Sequence, residues 1–140
     1  MRNYSYNVYS LSIHEDAERD LDALWEEDEE SVAIIEMFLE EVEGSQELLE
    51  RFTDNSYADH LHDPGFDIKR WRVMWKDYPL WRLRLFNVPM GAALRRIVYT
   101  FHPKERRYYV LGIVPRDFDY DPSHPLSKRI VRVCAELGLS

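Results

Sequence analysis

Four arginines at strand-like positions are the residues of this sequence best suited to chemistry. Arg82 and Arg84 lie within Trp81-Arg82-Leu83-Arg84-Leu85, Arg96 opens Arg96-Ile97-Val98-Tyr99, and Arg116 closes the apolar run Tyr109 to Pro115. A guanidinium grips a phosphate through paired hydrogen bonds and stays charged at any working pH, so these residues suit the stabilisation of a phosphodiester's negative charge and serve poorly as bases. Tyr120, in Phe118-Asp119-Tyr120-Asp121, adds a phenol just beyond them. Proton transfer needs another group. His124 is the first choice, because imidazole is the side chain that changes charge near neutral pH, with His102 and Asp119 as neighbours in sequence. Each residue also has a plainer role: Arg82 and Arg84 as the wet face of an edge strand, Arg96 as the ion-pair partner of an acidic helix, Tyr120 as packing under the last helix, and His124 as the residue opening a helix at Pro125. Trp25, Trp71, Trp75 and Trp81 read as core in preference to a base-stacking platform. His60-x-His62-Asp63 offers too few ligands for a metal site.

These residues need a scaffold, and the patterning supplies one. Tyr4 to Leu11 has the composition of a strand, and Ser12-x-x-Glu15 reads as a capping box that opens a helix. Ala17, Leu21, Leu24 and Trp25 then recur at helical steps. After the acidic run Glu26 to Glu30, a second helix carries Val32, Ile35, Phe38 or Leu39, Val42, Leu48, Leu49 and Phe52, with Gly44 as a kink or break. Thr53 to Gly65 has neither period and reads as a loop. Phe66 to Trp75, Leu80 to Phe86, Leu94 to Phe101 and Arg107 to Val114 read as strands of an antiparallel meander, with turns at Asn87 to Gly91 and His102 to Arg106. Trp81, Leu83 and Leu85 share one strand face, so Arg82 and Arg84 point the other way. Pro122 and Pro125 suit a first helical turn, and Ile130, Val131, Cys134 and Leu137 give a final helix its apolar side. The expected fold class is α+β: an N-terminal strand and two helices on an antiparallel sheet of about four strands, closed by a C-terminal helix.

A chain of 140 residues suits one domain over residues 1–140. Its single cysteine, Cys134, excludes an intrachain disulfide and a thiolate zinc site. No stretch has the apolar length of a secretory signal or a membrane span, so a soluble cytoplasmic protein that neither enters a membrane nor carries a metal or small-molecule cofactor is expected. The net charge of −8 conceals a division. Met1 to Asp67 holds 3 basic against 20 acidic residues, a net of −17, and Ile68 to Ser140 holds 15 against 6, a net of +9. Such asymmetry points to a polyanion for the basic half, or to attraction between the halves.

The ordered set Trp81 to Leu85, Arg96 to Tyr99, Tyr109 to Arg116 and Phe118 to Asp121 resembles the RelE/ParE toxin superfamily, whose strands carry basic residues, then an arginine-apolar-valine-tyrosine run, then valines closed by an arginine and soon a tyrosine. The resemblance implies the toxin of a type II toxin–antitoxin pair with a cognate antitoxin as partner. It also implies metal-independent cleavage of mRNA on the ribosome by 2′-hydroxyl attack. Carried over by motif, Arg82 and Arg84 would hold RNA phosphates, and Arg96, Arg116 and Tyr120 would be catalytic, with His124 as the nearest proton-transfer group. The missing base departs from the nuclease pattern, as does the overall acidity. A non-nuclease inhibitor of DNA gyrase of the ParE kind, or a family member that only binds, is the alternative. For an antitoxin, apolar residues from Pro79 to Trp81 beside positive charge would suit an amphipathic helix or an added strand.

Overall fold

The computed structural model describes residues 8–118 and 121–139; the other positions, Tyr120 among them, lie outside it. The chain runs β1 (Ser10–Ile13), α1 (Glu15–Glu27), α2 (Glu29–Glu43), α3 (Gln46–Glu50), a 3-10 turn (Tyr57–His60), β2 (Phe66–Arg70), α4 (Arg72–Trp75), β3 (Leu80–Leu85), α5 (Met90–Ala93), β4 (Arg95–His102), β5 (Arg107–Pro115), a 3-10 turn (Arg116–Phe118) and α6 (Pro125–Glu136). The fold is α+β. Its sheet has five strands in the order β1-β5-β4-β3-β2, where about four antiparallel strands were expected. The last four form the antiparallel meander, and β1 joins β5 in parallel. Parallel pairing requires a long connection between partners, and here most of the chain separates them.

Several local expectations shift for physical reasons. Ser12 does not cap α1, because it is still paired within β1 and its hydroxyl accepts from Arg107; His14 caps instead, its Nδ1 accepting from the Asp16 N–H at 3.0 Å. The strand expected through Trp75 stops at Arg70. The Trp71 N–H makes a last bond toward β3, to the Leu80 carbonyl, and α4 follows with Val73 exposed. The turn after Asn87 contains α5, whose Gly91 abuts the Asp28 carboxylate at the start of α2, where a β-carbon would collide. Asp28 caps α2 by accepting from the Ser31 N–H and hydroxyl, which hold its carboxyl below the usual range.

Two apolar layers sandwich the sheet. On one face, Leu21, Leu24, Ile35, Leu39 and Val42 of α1 and α2, with Leu49 of α3, pack on Ile68, Leu83, Ile97, Tyr99, Tyr108 and Ile113. Here Tyr99 donates its hydroxyl proton to the Phe52 carbonyl at 2.6 Å, and Tyr108 donates to that of Leu49 at 2.7 Å. These two bonds tie the end of α3 to the sheet. On the other face, Ile130, Val133 and Cys134 of α6 meet Val98, Leu111 and Val114, with Trp71, Met74, Leu80 and Phe118 alongside. Trp71 and Trp81 are core, as expected, but Trp25 remains 46% exposed.

The position of α6 rests on a bulge and an ion pair. Tyr99 pairs with Val110 and Val98 with Gly112, so Leu111 is an extra residue on β5. Both Leu111 and Gly112 then face α6. A β-carbon at Gly112 would lie 3.1 Å from Arg129 Nη2 and 3.2 Å from Ile130 Cδ1, and only glycine admits this approach without displacement. Where β1 has ended, the Ile113 N–H donates to Asp20 Oδ2 at 2.9 Å, and Arg129 grips the same carboxylate with bonds of 2.9 and 2.7 Å. One carboxylate thus completes the sheet edge and joins α1 to α6.

Two outcomes follow. Arg129→Met should destabilise the fold by about 2 kcal/mol, below the ~3–5 kcal/mol typical of a fully buried pair because the arginine side chain keeps 22% of its surface in solvent; a chemical denaturation midpoint unchanged from wild type would contradict this. The second concerns alkali. Burial pushes the Tyr99 and Tyr108 phenols upward, and pushes the Cys134 thiol from an ordinary 9.0 to about 11. The folded state holds these protons more tightly than the unfolded one, so their contribution is complete below the unfolded values and lost as pH rises. Melting temperature should therefore fall between about pH 9 and 11, and a flat profile there would show that these groups ionise freely in the fold.

Candidate phosphate-binding cleft

Side chains alternate along a strand, so the core residues Phe66 and Ile68 of β2 and Leu83 and Leu85 of β3 send Asp67, Lys69, Arg82 and Arg84 to the opposite face. Arg96 of β4 shares that face with Val98. The C-terminal helix covers the β4–β5 half of this surface and leaves the β2–β3 half uncovered. There, Asp67, Lys69, Arg82, Arg84 and Arg96 line a cleft of about 160 Å³. Lys69 stands directly opposite Arg82 in the β2–β3 ladder, and Arg84 stands opposite Asp67. Like charges opposed across strands are destabilising, and an anion between them reverses the sign of that interaction.

Each cation is held differently. Arg96 is buried, its Nη1 donating to the carbonyls of Ala93 and Arg95 at 3.0 Å each. Its chain neighbour Arg95 points the other way and meets Glu27 of α1 at 3.7 Å. Arg84 is exposed and lies 4.6 Å over the Phe86 ring. Lys69 donates to the Ser56 hydroxyl at 2.9 Å and stands 3.5 Å from Asp67, whose other oxygen accepts from the Ala58 N–H. Through Lys69 and Arg82 the cleft opens into a hollow of about 620 Å³ lined by Asn55, Ser56, Arg70, Arg72 and Trp75. Arg70 there lies 4.8 Å over the Trp75 ring.

Of the residues singled out in the sequence, Arg82, Arg84 and Arg96 come together. Arg116 does not line this cleft; it is exposed at the end of β5, in a separate hollow with Gly91, Leu94, Arg95, Pro115 and Asp117, and its N–H donates to the Leu94 carbonyl. Tyr120 lies outside the described residues. His124 takes its plainer role, capping α6 through an Nδ1 that accepts from the Leu126 N–H at 3.0 Å. His102 accepts from the Glu105 N–H in the β4–β5 turn. His60 and His62 sit in an exposed loop, and the described residues contain no cluster of three or more metal-ligating side chains. Leu80 and Trp81 are buried, so the apolar patch expected there is core and not a docking surface.

Reasoning from sequence missed Lys69, Arg70 and Arg72. Alternation through Phe66, Ile68 and Arg70 could have placed Lys69 beside Arg82, had the strand been ended at Arg70. Chemically, the described lining supplies cations and one carboxylate, Asp67, already engaged by Lys69 and Ala58. It can bind and polarise a phosphodiester. The two lining groups that could transfer a proton, Asp67 and Lys69, are already engaged with each other and with Ala58 and Ser56.

Comparison with protein-family models, with curated proteins and with solved structures finds no match.

Cations that displace condensed counterions leave a signature in salt. If Lys69, Arg82, Arg84 and Arg96 each neutralise one phosphate, the plot of log affinity for single-stranded RNA against log salt should slope at about −3, and Arg84→Ala should flatten it by roughly 0.7. A slope indistinguishable from zero would remove phosphate from the cleft.

Proposed function

We propose that this chain is a RelE/ParE-like toxin domain that acts on RNA, gripping the phosphodiester backbone between β2, β3 and β4. The observation that carries it is the convergence of Arg82, Arg84 and Arg96, with Lys69, on one uncovered sheet face. Two of these side chains are fixed by bonds to the protein itself, so little ordering is required when a phosphate arrives. The order of the strand motifs agrees with the toxin resemblance, and the reaction is then 2′-hydroxyl attack on the adjacent phosphate within a ribosome-bound mRNA. In that reaction Arg82, Arg84 and Arg96 offset charge that builds on the phosphorane, where guanidinium donors are most effective. A cytoplasmic site of action and neutralisation by a cognate antitoxin belong to the same proposal.

A second function is favoured by a specific observation. The one carboxylate of the lining, Asp67, is already engaged by Lys69 and Ala58, and His124 spends Nδ1 on a helix cap. A domain so equipped binds without cutting, as in the gyrase-inhibiting branch of the superfamily. The two functions separate cleanly in assay.

Induction in cells, followed by primer extension on mRNA, should reveal new 5′ ends and growth arrest. The Arg82→Ala/Arg84→Ala variant should lower cleavage on programmed ribosomes by about 100-fold or more, at unchanged protein level and circular dichroism. Growth arrest with intact transcripts and inhibited gyrase would establish the second function instead. Unimpaired growth with intact transcripts would refute both.

A further inference from the structure

The opposite edge of the molecule carries a surface of the other sign. Strand β1 is the last of the sheet, bonded to β5 on one side only. The N–H groups of Ser10 and His14 donate to the Arg106 and Val110 carbonyls, so the even-numbered residues face β5 and the peptide groups of Tyr9, Leu11 and Ile13 face outward. At Tyr9 the edge is closed by Gln46, whose side-chain amide accepts from the Tyr9 N–H and donates to its carbonyl, both at 2.7 Å. Beyond that clamp, Leu11 to Ile13 border a groove of about 760 Å³. Its remaining walls come from α1 and α2 and combine apolar surface with carboxylates. Trp25 is 46% and Met37 68% exposed, and both line this one groove. Glu18, Glu36, Glu40 and Glu43 complete the wall, and none makes an ion pair with another described residue.

We infer that this groove receives an extended segment of another protein that carries Lys or Arg together with apolar residues on one of its two side-chain rows, added as a sixth strand to β1. The backbone edge supplies direction and register, because an added strand bonds through the outward peptide groups at Leu11 and Ile13. Alternation sends one row of its side chains toward α1 and α2, where apolar members of that row meet Trp25 and Met37 and cationic members meet the glutamates, and turns the other row away. An acidic or uniformly polar segment would meet four carboxylates without compensation. This surface is independent of the basic cleft, and its failure would leave the phosphate-binding function untouched.

The test uses the full chain and a panel of labelled 12-residue peptides in which every second position is Lys, Arg, Val, Ile or Leu in varied order and the positions between are Thr, followed by fluorescence anisotropy. Members of the panel should bind saturably, and Glu36→Lys/Glu40→Lys, at two exposed positions, should weaken binding at least tenfold while Arg84→Ala changes it less than twofold. N-methylating every second peptide nitrogen should weaken binding at least tenfold in one phase of the alternation and less than twofold in the other. The inference is overturned if no panel member binds, if both N-methylated phases bind alike, or if peptides with Glu in place of Lys bind as well. It is equally overturned if the free protein sediments as a dimer that the peptides dissociate, since a second copy would then be the occupant.

Discussion

The bidentate contact between Asp20 and Arg129 decides which surfaces of this protein exist. Asp20 comes from the acidic helical side and Arg129 from the last helix, and they meet where β1 has ended and the Ile113 N–H would otherwise lack a strand partner. The Asp20 hydrogen bonds push the Arg129 guanidinium above its usual value, so the contact keeps its charge at any physiological pH. The glycine at 112 and the bulge beside it let α6 settle close to the sheet at this point. A helix held over β4 and β5 cannot also cover β2 and β3, and the uncovered half is where the cations stand.

Charge follows the same division. The acidic helices pack on one sheet face, and Lys69, Arg82, Arg84 and Arg96 occupy the other, so a net charge of −8 is a poor guide to what a ligand meets. The exposed glutamates of α1 and α2 belong to the helical layer on the other side of the sheet from the cleft. At the cleft itself, Lys69 and Arg82 are opposed across β2 and β3, and Asp67 is the one carboxylate among the four cations. The sheet thereby carries two electrostatic sites of opposite sign without either cancelling the other.

What the sequence disclosed, and what it withheld, divides by range of interaction. The amphipathic stripes of α1, α2 and α6, the break at Gly44, Pro125 at the first turn of α6 and the outward direction of Arg82 and Arg84 are all local patterns, and the structure has them. The parallel pairing of β1 with β5 depends on partners nearly a hundred positions apart, which periodicity cannot register. The same limit hid the pairing of Asp20 with Arg129 and the separation of Arg116 from the other three arginines. The capping residue of α1 was mistaken because Ser12 satisfies a capping pattern locally while tertiary pairing keeps it in β1. Trp71 ends β2 because its side chain is wanted under α6, a requirement set by the fold and invisible in its neighbours. Lys69 was legible in principle, through alternation with Phe66 and Ile68, once the end of its strand was known.

The central claim is that the uncovered face of β2, β3 and β4 is where a phosphodiester binds. The most direct measurement is a titration of isotope-labelled protein with a short single-stranded oligoribonucleotide, followed through the arginine Nε–Hε and backbone amide resonances. The account requires saturable shifts at Lys69, Arg82, Arg84 and Arg96, with little change along α1 and α2. Shifts centred on Arg116 or on the helices, or no shifts at all, would contradict it.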